Sequence, residues 1–183
     1  MARYPTDARL RRAPEGRRGR LTFGRAAFAT LALAAVPAQA IASDTVRISG
    51  LSDLAFGSIT SFGTDSVLSE SICLYAKSPP GDNYRVTASG SGSGGAFVLS
   101  SGSAVLPFEV QWSATPGQTS GLQLLANQAL TGQHSASGSA AVDDCSKGPA
   151  TSASLIVILR SAALGSASSG TYTGTLTLLV APE

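Results

Sequence analysis

The chain ends in a segment in which apolar side chains alternate with threonines. The apolar set is Tyr172, Leu176, Leu178 and Val180, and threonines fill the odd positions from 171 to 177. This period of two is that of a half-buried β-strand. A sandwich whose last apolar strand ends the chain is expected to lack one neighbouring strand. Its open edge would then accept a strand from another molecule.

Apolar and polar residues alternate in further segments, whereas no amphipathic helical stripe of useful length follows residue 40. Strands are predicted at residues 45–51, 54–60, 68–76, 84–89, 96–100, 105–112, 155–160 and 171–180. Small-residue turns separate them, such as Pro79-Pro80-Gly81-Asp82-Asn83. The predicted fold class is all-β.

Residue parity assigns the faces of these strands. Even positions from Leu106 to Trp112 are apolar, which predicts a core face that includes Trp112. The run from Leu155 to Leu159 is apolar on both faces, as in a central strand, and Pro107 indicates an edge strand. Two packed antiparallel sheets fit this pattern.

Between residues 118 and 151 the alternation fades into small polar residues. A long mobile connection is expected there. Within it, residues 122–130 are compatible either with a short strand or with one helical turn.

The N-terminal 40 residues have the features of a secretory signal. Eight arginines precede an apolar run from Ala26 to Val36, and Ala38-Gln39-Ala40 follows it. The run is shorter than the roughly 20 residues of a membrane-spanning helix. We therefore expect residues 1–40 to be removed after Ala40, leaving residues 41–183 as one exported domain with no stable membrane span.

Removal of that leader reverses the net charge. Residues 41–183 contain five cations and nine carboxylates, a net charge of −4. Because no basic cluster remains to neutralise phosphates, nucleic acid is not an expected partner.

Two cysteines, Cys73 and Cys145, lie in the exported part. In an oxidising compartment an isolated pair most simply forms one disulfide. The alternative is two buried thiols. Metal binding is disfavoured because His134, the one histidine of the chain, has no ligand-like spacing to either cysteine.

Residues that support catalysis are scarce. His134 would need a serine and a carboxylate to converge on it. Asp143 and Asp144 could join a calcium site, but adjacent carboxylates in a strand or loop usually diverge into solvent. The glycine-rich residues 90–95 precede neither a P-loop lysine nor a helix. The sequence predicts a protein without enzymatic activity, catalytic residues, cofactor or metal.

Five local patterns, in serial order, resemble the spore coat protein U-like family, which includes secreted subunits of archaic chaperone–usher pili. They are Leu54-Ala-Phe56-Gly57, Ile72-Cys73-Leu74-Tyr75, residues 84–90, residues 106–112, and residues 170–178. Together they run along most of the exported chain.

The resemblance implies an immunoglobulin-like sandwich lacking one strand. Such a subunit is held by a periplasmic chaperone, delivered to an outer-membrane usher, and completed by the N-terminal extension of a neighbouring pilus subunit. Val46 and Ile48 are then the donor-strand candidates. The chain departs from the family in ending on Val180-Ala-Pro-Glu183 instead of an aromatic residue, and in lacking a cysteine near its mature N-terminus.

Two functions follow from these observations. The first is an exported structural subunit of a fimbria-like or pilus-like surface assembly that polymerises by donor-strand exchange. The alternative is a self-completed, secreted β-sandwich module that binds a carbohydrate or surface partner through its Gly/Ser loops. In the alternative, the segment at residues 45–51 pairs within its own molecule.

Overall fold

The computed structural model describes residues 44–78, 81–135 and 151–183. The elements of these residues are β1 (Thr45–Ser49), β2 (Ser66–Lys77), β3 (Asn83–Gly90), β4 (Val98–Ser101), β5 (Ala104–Pro107), β6 (Glu109–Ser113), β7 (Leu122–Leu124), β8 (Ala129–His134), β9 (Ala153–Leu159), α1 (Ser161–Ser166) and β10 (Leu176–Pro182). A single 3-10 turn at Ser93–Gly95 precedes β4. The predicted all-β class is confirmed.

The strands form two main antiparallel sheets and a small ribbon. The larger sheet has the order β1-β2-β9-β6-β7, the smaller sheet has the order β10-β3-β8, and β4 pairs with β5 alone. Side chains from both sheets meet in one apolar cluster. The predicted sandwich of packed antiparallel sheets is therefore present.

β9 lies at the centre of the larger sheet, between β2 and β6. All seven of its residues are buried. Leu155, Val157 and Leu159 belong to the apolar cluster between the sheets, while Ile156 and Ile158 lie on the opposite face. The sequence prediction of a central strand covered on both faces is confirmed.

Trp112 of β6 and Tyr84 of β3 connect the two sheets. Their rings meet edge to face with centroids 6.3 Å apart, and the Trp112 Nε1–H donates a hydrogen bond to the Tyr84 hydroxyl over 3.1 Å. Both residues are almost fully buried. The core position predicted for Trp112 from the parity of its strand is confirmed, and its polar atom has the partner that burial requires.

Several predicted element boundaries are wrong. Residues 54–60 do not form a strand. The predicted strand at 105–112 is divided at Phe108 into β5 and β6, which belong to different sheets. Pro107 ends β5 in the two-stranded ribbon, where both strands are edges, as its missing N–H predicted.

The connection predicted after residue 118 contains two strands, β7 and β8. Residues 122–124 settle the choice left open by the sequence in favour of a strand. Positions 136–150 of that connection lie outside the described residues. The final strand begins at Leu176 instead of Thr171 and continues to Pro182.

Replacing Tyr84 with phenylalanine leaves the buried Trp112 N–H without its acceptor. We expect Tyr84→Phe to lower the free energy of unfolding by about 1–3 kcal/mol. Tyr172→Phe is the matched control, because the Tyr172 hydroxyl donates to the Ser168 carbonyl at an exposed position; it should change stability by less than about 0.5 kcal/mol. Urea unfolding measures both. Equal losses in the two variants would contradict the role of the hydrogen bond between the sheets.

Burial raises the pKa of Tyr84 to about 12, from an ordinary value of 10.0, against the opposing effect of the Trp112 hydrogen bond. The folded protein keeps this proton at pH values where the unfolded chain has lost it. The free energy of unfolding should therefore fall as pH rises from about 10 to about 12, by at most about 1.4 kcal/mol per pH unit. Urea unfolding at several alkaline pH values tests this. Tyr84→Phe should lack this part of the pH dependence, and an unchanged slope in the variant would contradict the assignment.

Candidate strand-acceptor groove

An apolar groove of about 1070 Å³ lies beside the final strand. Its floor includes Leu155, Val157 and Leu159 of β9. One wall consists of residues 51–59 with Phe62, the other consists of residues 167–176 with Leu178, and Leu99, Leu106, Phe108 and Leu164 complete the lining. The groove is thus an extension of the apolar cluster between the sheets, exposed along one side.

The first wall, residues 51–62, is an extended segment without regular secondary structure. Leu54, Phe56 and Ile59 pack half-buried against the apolar cluster. Gly57 adopts a φ of +65°, which lies outside the β region, so a strand cannot continue through this position. Glycine adopts this conformation readily, whereas residues with a side chain disfavour it. This glycine is the sequence signal against the strand predicted at 54–60.

Side-chain contacts anchor this wall at each end. Near its start, the backbone N–H of Ser52 donates to Oε1 of Glu70 over 2.9 Å, and the Ser52 hydroxyl donates to the same oxygen. Just beyond its end, Asp65 accepts from the backbone N–H of Ser161 over 2.8 Å and pairs with Arg160 over 2.7 Å. These two anchors hold the wall to β2 and to the junction of β9 with α1.

Arg160 is the charged centre of the second anchor. Its guanidinium contacts Asp65 and, over 2.5 Å, Glu109. The Ser161 N–H bond, followed by the Arg160 bond, lowers the pKa of Asp65. The bonds to Glu109 and Asp65 raise the pKa of Arg160, so its guanidinium stays charged at ordinary pH.

The second wall leads from α1 into β10. Thr173 exchanges two backbone hydrogen bonds with Ser100 of β4, over 2.8 Å and 3.1 Å. At Gly174 a side chain would meet the Val98 carbonyl oxygen at 2.7 Å, so the close approach of this segment to β4 requires glycine. Pairing with β4 explains why the final strand begins only at Leu176.

The final strand, β10, pairs with β3 along one edge. Its other edge faces no paired strand within residues 44–78, 81–135 and 151–183. The Glu183 N–H donates to the Asn83 carbonyl over 3.0 Å. Along an antiparallel ladder, hydrogen-bonded residue pairs alternate with pairs that are not hydrogen-bonded. The N–H and C=O groups of Thr177 and Leu179 therefore point toward β3, and those of Leu176 and Leu178 point toward the open edge.

The same alternation places the side chains. Leu176, Leu178 and Val180 are half-buried against the apolar cluster, whereas Leu179 is 65% exposed on the opposite face. Leu176 and Leu178 therefore offer both unused backbone groups and incompletely covered apolar side chains on the groove side. A β-strand with alternating apolar residues would satisfy both.

The far end of β10 is fixed within the domain. The Ser78 hydroxyl donates to the Glu183 carbonyl over 2.6 Å, and the Gly132 N–H donates to the Glu183 carboxylate over 2.7 Å. Glu183 thus joins the ends of β2, β10 and β8. These hydrogen bonds hold the C-terminal end of β10 in place.

The predicted terminal-strand residues lie together along the groove and its continuation. Leu176, Leu178 and Val180 belong to β10, while Tyr172 precedes the strand in the second wall. All four pack partly buried against the core. Tyr172 does so from outside the strand.

The donor-strand candidates Val46 and Ile48 lie in β1. β1 pairs with β2 from Thr45↔Lys77 to Ser49↔Cys73, and both candidates pack on the apolar cluster of their own domain. The segment pairs within its own molecule, which was the alternative left open by the sequence. Its partner is β2, however, and within the described residues no β-ladder joins β1 to the other edge of β10.

The remaining predicted residues are only partly described. Cys73 is buried and engaged in a disulfide, but Cys145 lies outside the described residues, so the Cys73–Cys145 pairing stays a prediction. His134 ends β8 with Nδ1 at 3.3 Å from the Asn83 side-chain oxygen. Asp143 and Asp144 also lie outside the described residues. In the described part of the chain, no group of three or more His, Cys, Asp or Glu residues is arranged to hold a metal ion.

Among the described residues, no helix has the length and apolarity needed to cross a membrane.

Comparison with known proteins identifies a solved structure with a similar fold. No protein-family model matches the chain, and no curated protein matches it. A solved chain from work described as "Chaperone-tip adhesin complex is vital for synergistic activation of CFA/I fimbriae biogenesis" superposes with a TM-score of 0.50 at 17% identity. The fold is shared with a component of a fimbrial complex. The match covers 75% of this chain but 41% of the other, so this chain corresponds to less than half of that component's length.

The open edge of β10 has a direct signature in amide hydrogen exchange. The N–H groups of Leu176 and Leu178 should exchange at least roughly tenfold faster than those of Thr177 and Leu179, which face β3. Exchange followed by NMR on the ¹⁵N-labelled, exported protein measures all four in one experiment. Equal protection of the four amides would show that the groove-facing edge is already paired.

Proposed function

We propose that this protein is an exported, non-enzymatic structural subunit of a fimbria-like surface assembly, and that a neighbouring subunit completes its fold by inserting a β-strand into the groove. The observation that carries the proposal is the open edge of β10 beside an apolar groove whose floor is the core strand β9. The fold shared with a component of a fimbrial complex and the resemblance to the spore coat protein U-like family support it.

The energetics define what the inserted strand must provide. Association costs roughly 4–15 kcal/mol in lost freedom of motion. Each large apolar side chain that becomes buried contributes about 1.5–3 kcal/mol, and each backbone hydrogen bond adds about 0.5–1.5 kcal/mol. One inserted side chain is therefore insufficient. An occupant needs several apolar residues at alternating positions together with a continuous ladder to β10.

A periplasmic chaperone is the expected first occupant. An unfilled groove leaves Leu176 and Leu178 half-covered, beside the exposed side chains of Leu51 and Phe62. An exposed apolar edge strand favours aggregation. Transient cover by a chaperone strand, followed by exchange at an outer-membrane usher, would avoid this. The expected destination is the cell surface.

The alternative, a self-completed module, requires a strand of the same chain on the open edge of β10. The N-terminal strand β1 is instead paired with β2 along its whole length. This arrangement favours completion by another chain.

A panel of short synthetic peptides tests the proposal. Each peptide alternates valine with threonine, in either parity and at several lengths, and each has a control of equal composition in which the valines are clustered. At least one alternating peptide should raise the melting temperature of the exported, purified protein by several degrees, and clustered controls should not. An unchanged melting temperature with every peptide would overturn the proposal.

Two variants of β10 locate the binding. Leu178→Asp places a charge on the groove face and should abolish the peptide effect. Leu179→Asp places the same charge one residue away on the exposed face, where it should leave the effect intact. A peptide effect that survives Leu178→Asp but is lost with Leu179→Asp would place the binding surface on the exposed face of β10, away from the groove, and would contradict the proposal.

A further inference from the structure

We propose that this chain accepts a strand but does not donate one, so that it occupies a terminal position in the assembly and its groove is filled by a chain of different sequence. The inference rests on the proposed function. It follows from the use of β1 within the fold, next to a groove that stays open.

The first step concerns β1. Its five residues each face a partner residue in β2, and Val46 and Ile48 cover part of the apolar cluster. Donating these two side chains to a neighbour would break that ladder and uncover the adjacent inner face of β2, where Ile72 and Leu74 are fully buried. The donor's own core would open in order to close the core of its neighbour.

The second step concerns the connection from β1 to the groove. The chain passes from Ser49 directly into the first wall, residues 51–62. That wall is anchored by Ser52 to Glu70 and by Asp65 to Arg160. Withdrawing β1 would pull on the wall of the chain's own groove, so one molecule could not readily donate β1 while it accepts a strand.

The third step concerns the residues before β1. The expected cleavage after Ala40 would leave four residues there, Ile41 to Asp44. Ile41 is their one large apolar side chain, whereas an inserted strand needs apolar residues at several alternating positions. This short segment does not meet the requirement derived for the groove.

The occupant is therefore a strand of another protein, one whose extension alternates apolar and polar residues without being needed in its own sheet. A subunit with that property can stand anywhere in a fibre. A subunit that only accepts a strand ends the fibre.

The test begins with the exported protein purified from the periplasm, whose intact mass identifies its first residue. At high concentration, size-exclusion chromatography with light scattering should show one subunit and no ladder of multiples. An alternating peptide that raises the melting temperature should bind one per subunit under the same conditions. A ladder that excess peptide disperses would overturn this inference and leave strand acceptance intact.

A gain-of-function variant gives the complementary result. The sequence of the binding peptide is inserted between Asp44 and Thr45, and the control insertion carries the same residues with the valines clustered. The alternating insertion should convert the single species into a ladder, and the control should not. If the peptide binds but its insertion produces no ladder, a missing donor is not what limits assembly and the inference fails. If no peptide binds, the proposed function itself fails.

Discussion

The burial of β9 on both faces is the constraint from which the rest of the fold follows. From Leu155 to Leu159 every residue of this strand is apolar, so both of its faces have to be covered, and one face contributes to the apolar cluster between the sheets. The Tyr84–Trp112 contact joins β3 of the smaller sheet to β6, the neighbour of β9 in the larger sheet. The smaller sheet ends at β10, and beside that strand the buried side chains of Leu155, Val157 and Leu159 form the floor of a groove.

In β10, the same residues lack both a backbone partner on one edge and full cover of their side chains. Along β10, the positions whose backbone groups lack a neighbouring strand are the positions whose side chains are half-covered. A globular ligand could cover the side chains, but it would leave the peptide groups without partners. An extended chain satisfies both at once, because its own alternation has the same period. On these physical grounds a β-strand fits the groove better than a globular ligand does.

The sequence predicted what depends on alternation and not what depends on contacts between distant residues. The class and the core position of Trp112 follow from side-chain parity, and the central strand β9 follows from a run that is apolar on both faces. The break between β5 and β6 at Phe108 does not, because the same parity continues while the strand passes from one sheet to another. Likewise, Thr173 continues the alternation of β10 but pairs with Ser100 of β4. The groove walls were missed because packing defines them without a periodic pattern.

The wall formed by residues 51–62 has no β-ladder to hold its backbone in place. Leu54, Phe56 and Ile59 rest on the core through side chains alone, between anchors at Ser52 and Asp65. A change of side-chain volume in this wall can be absorbed by a shift of its backbone, whereas the same change in β9 would leave a void or a clash. Substitutions in this wall can therefore change the shape of the groove, and with it the side chains that the groove can accommodate, without destabilising the sandwich.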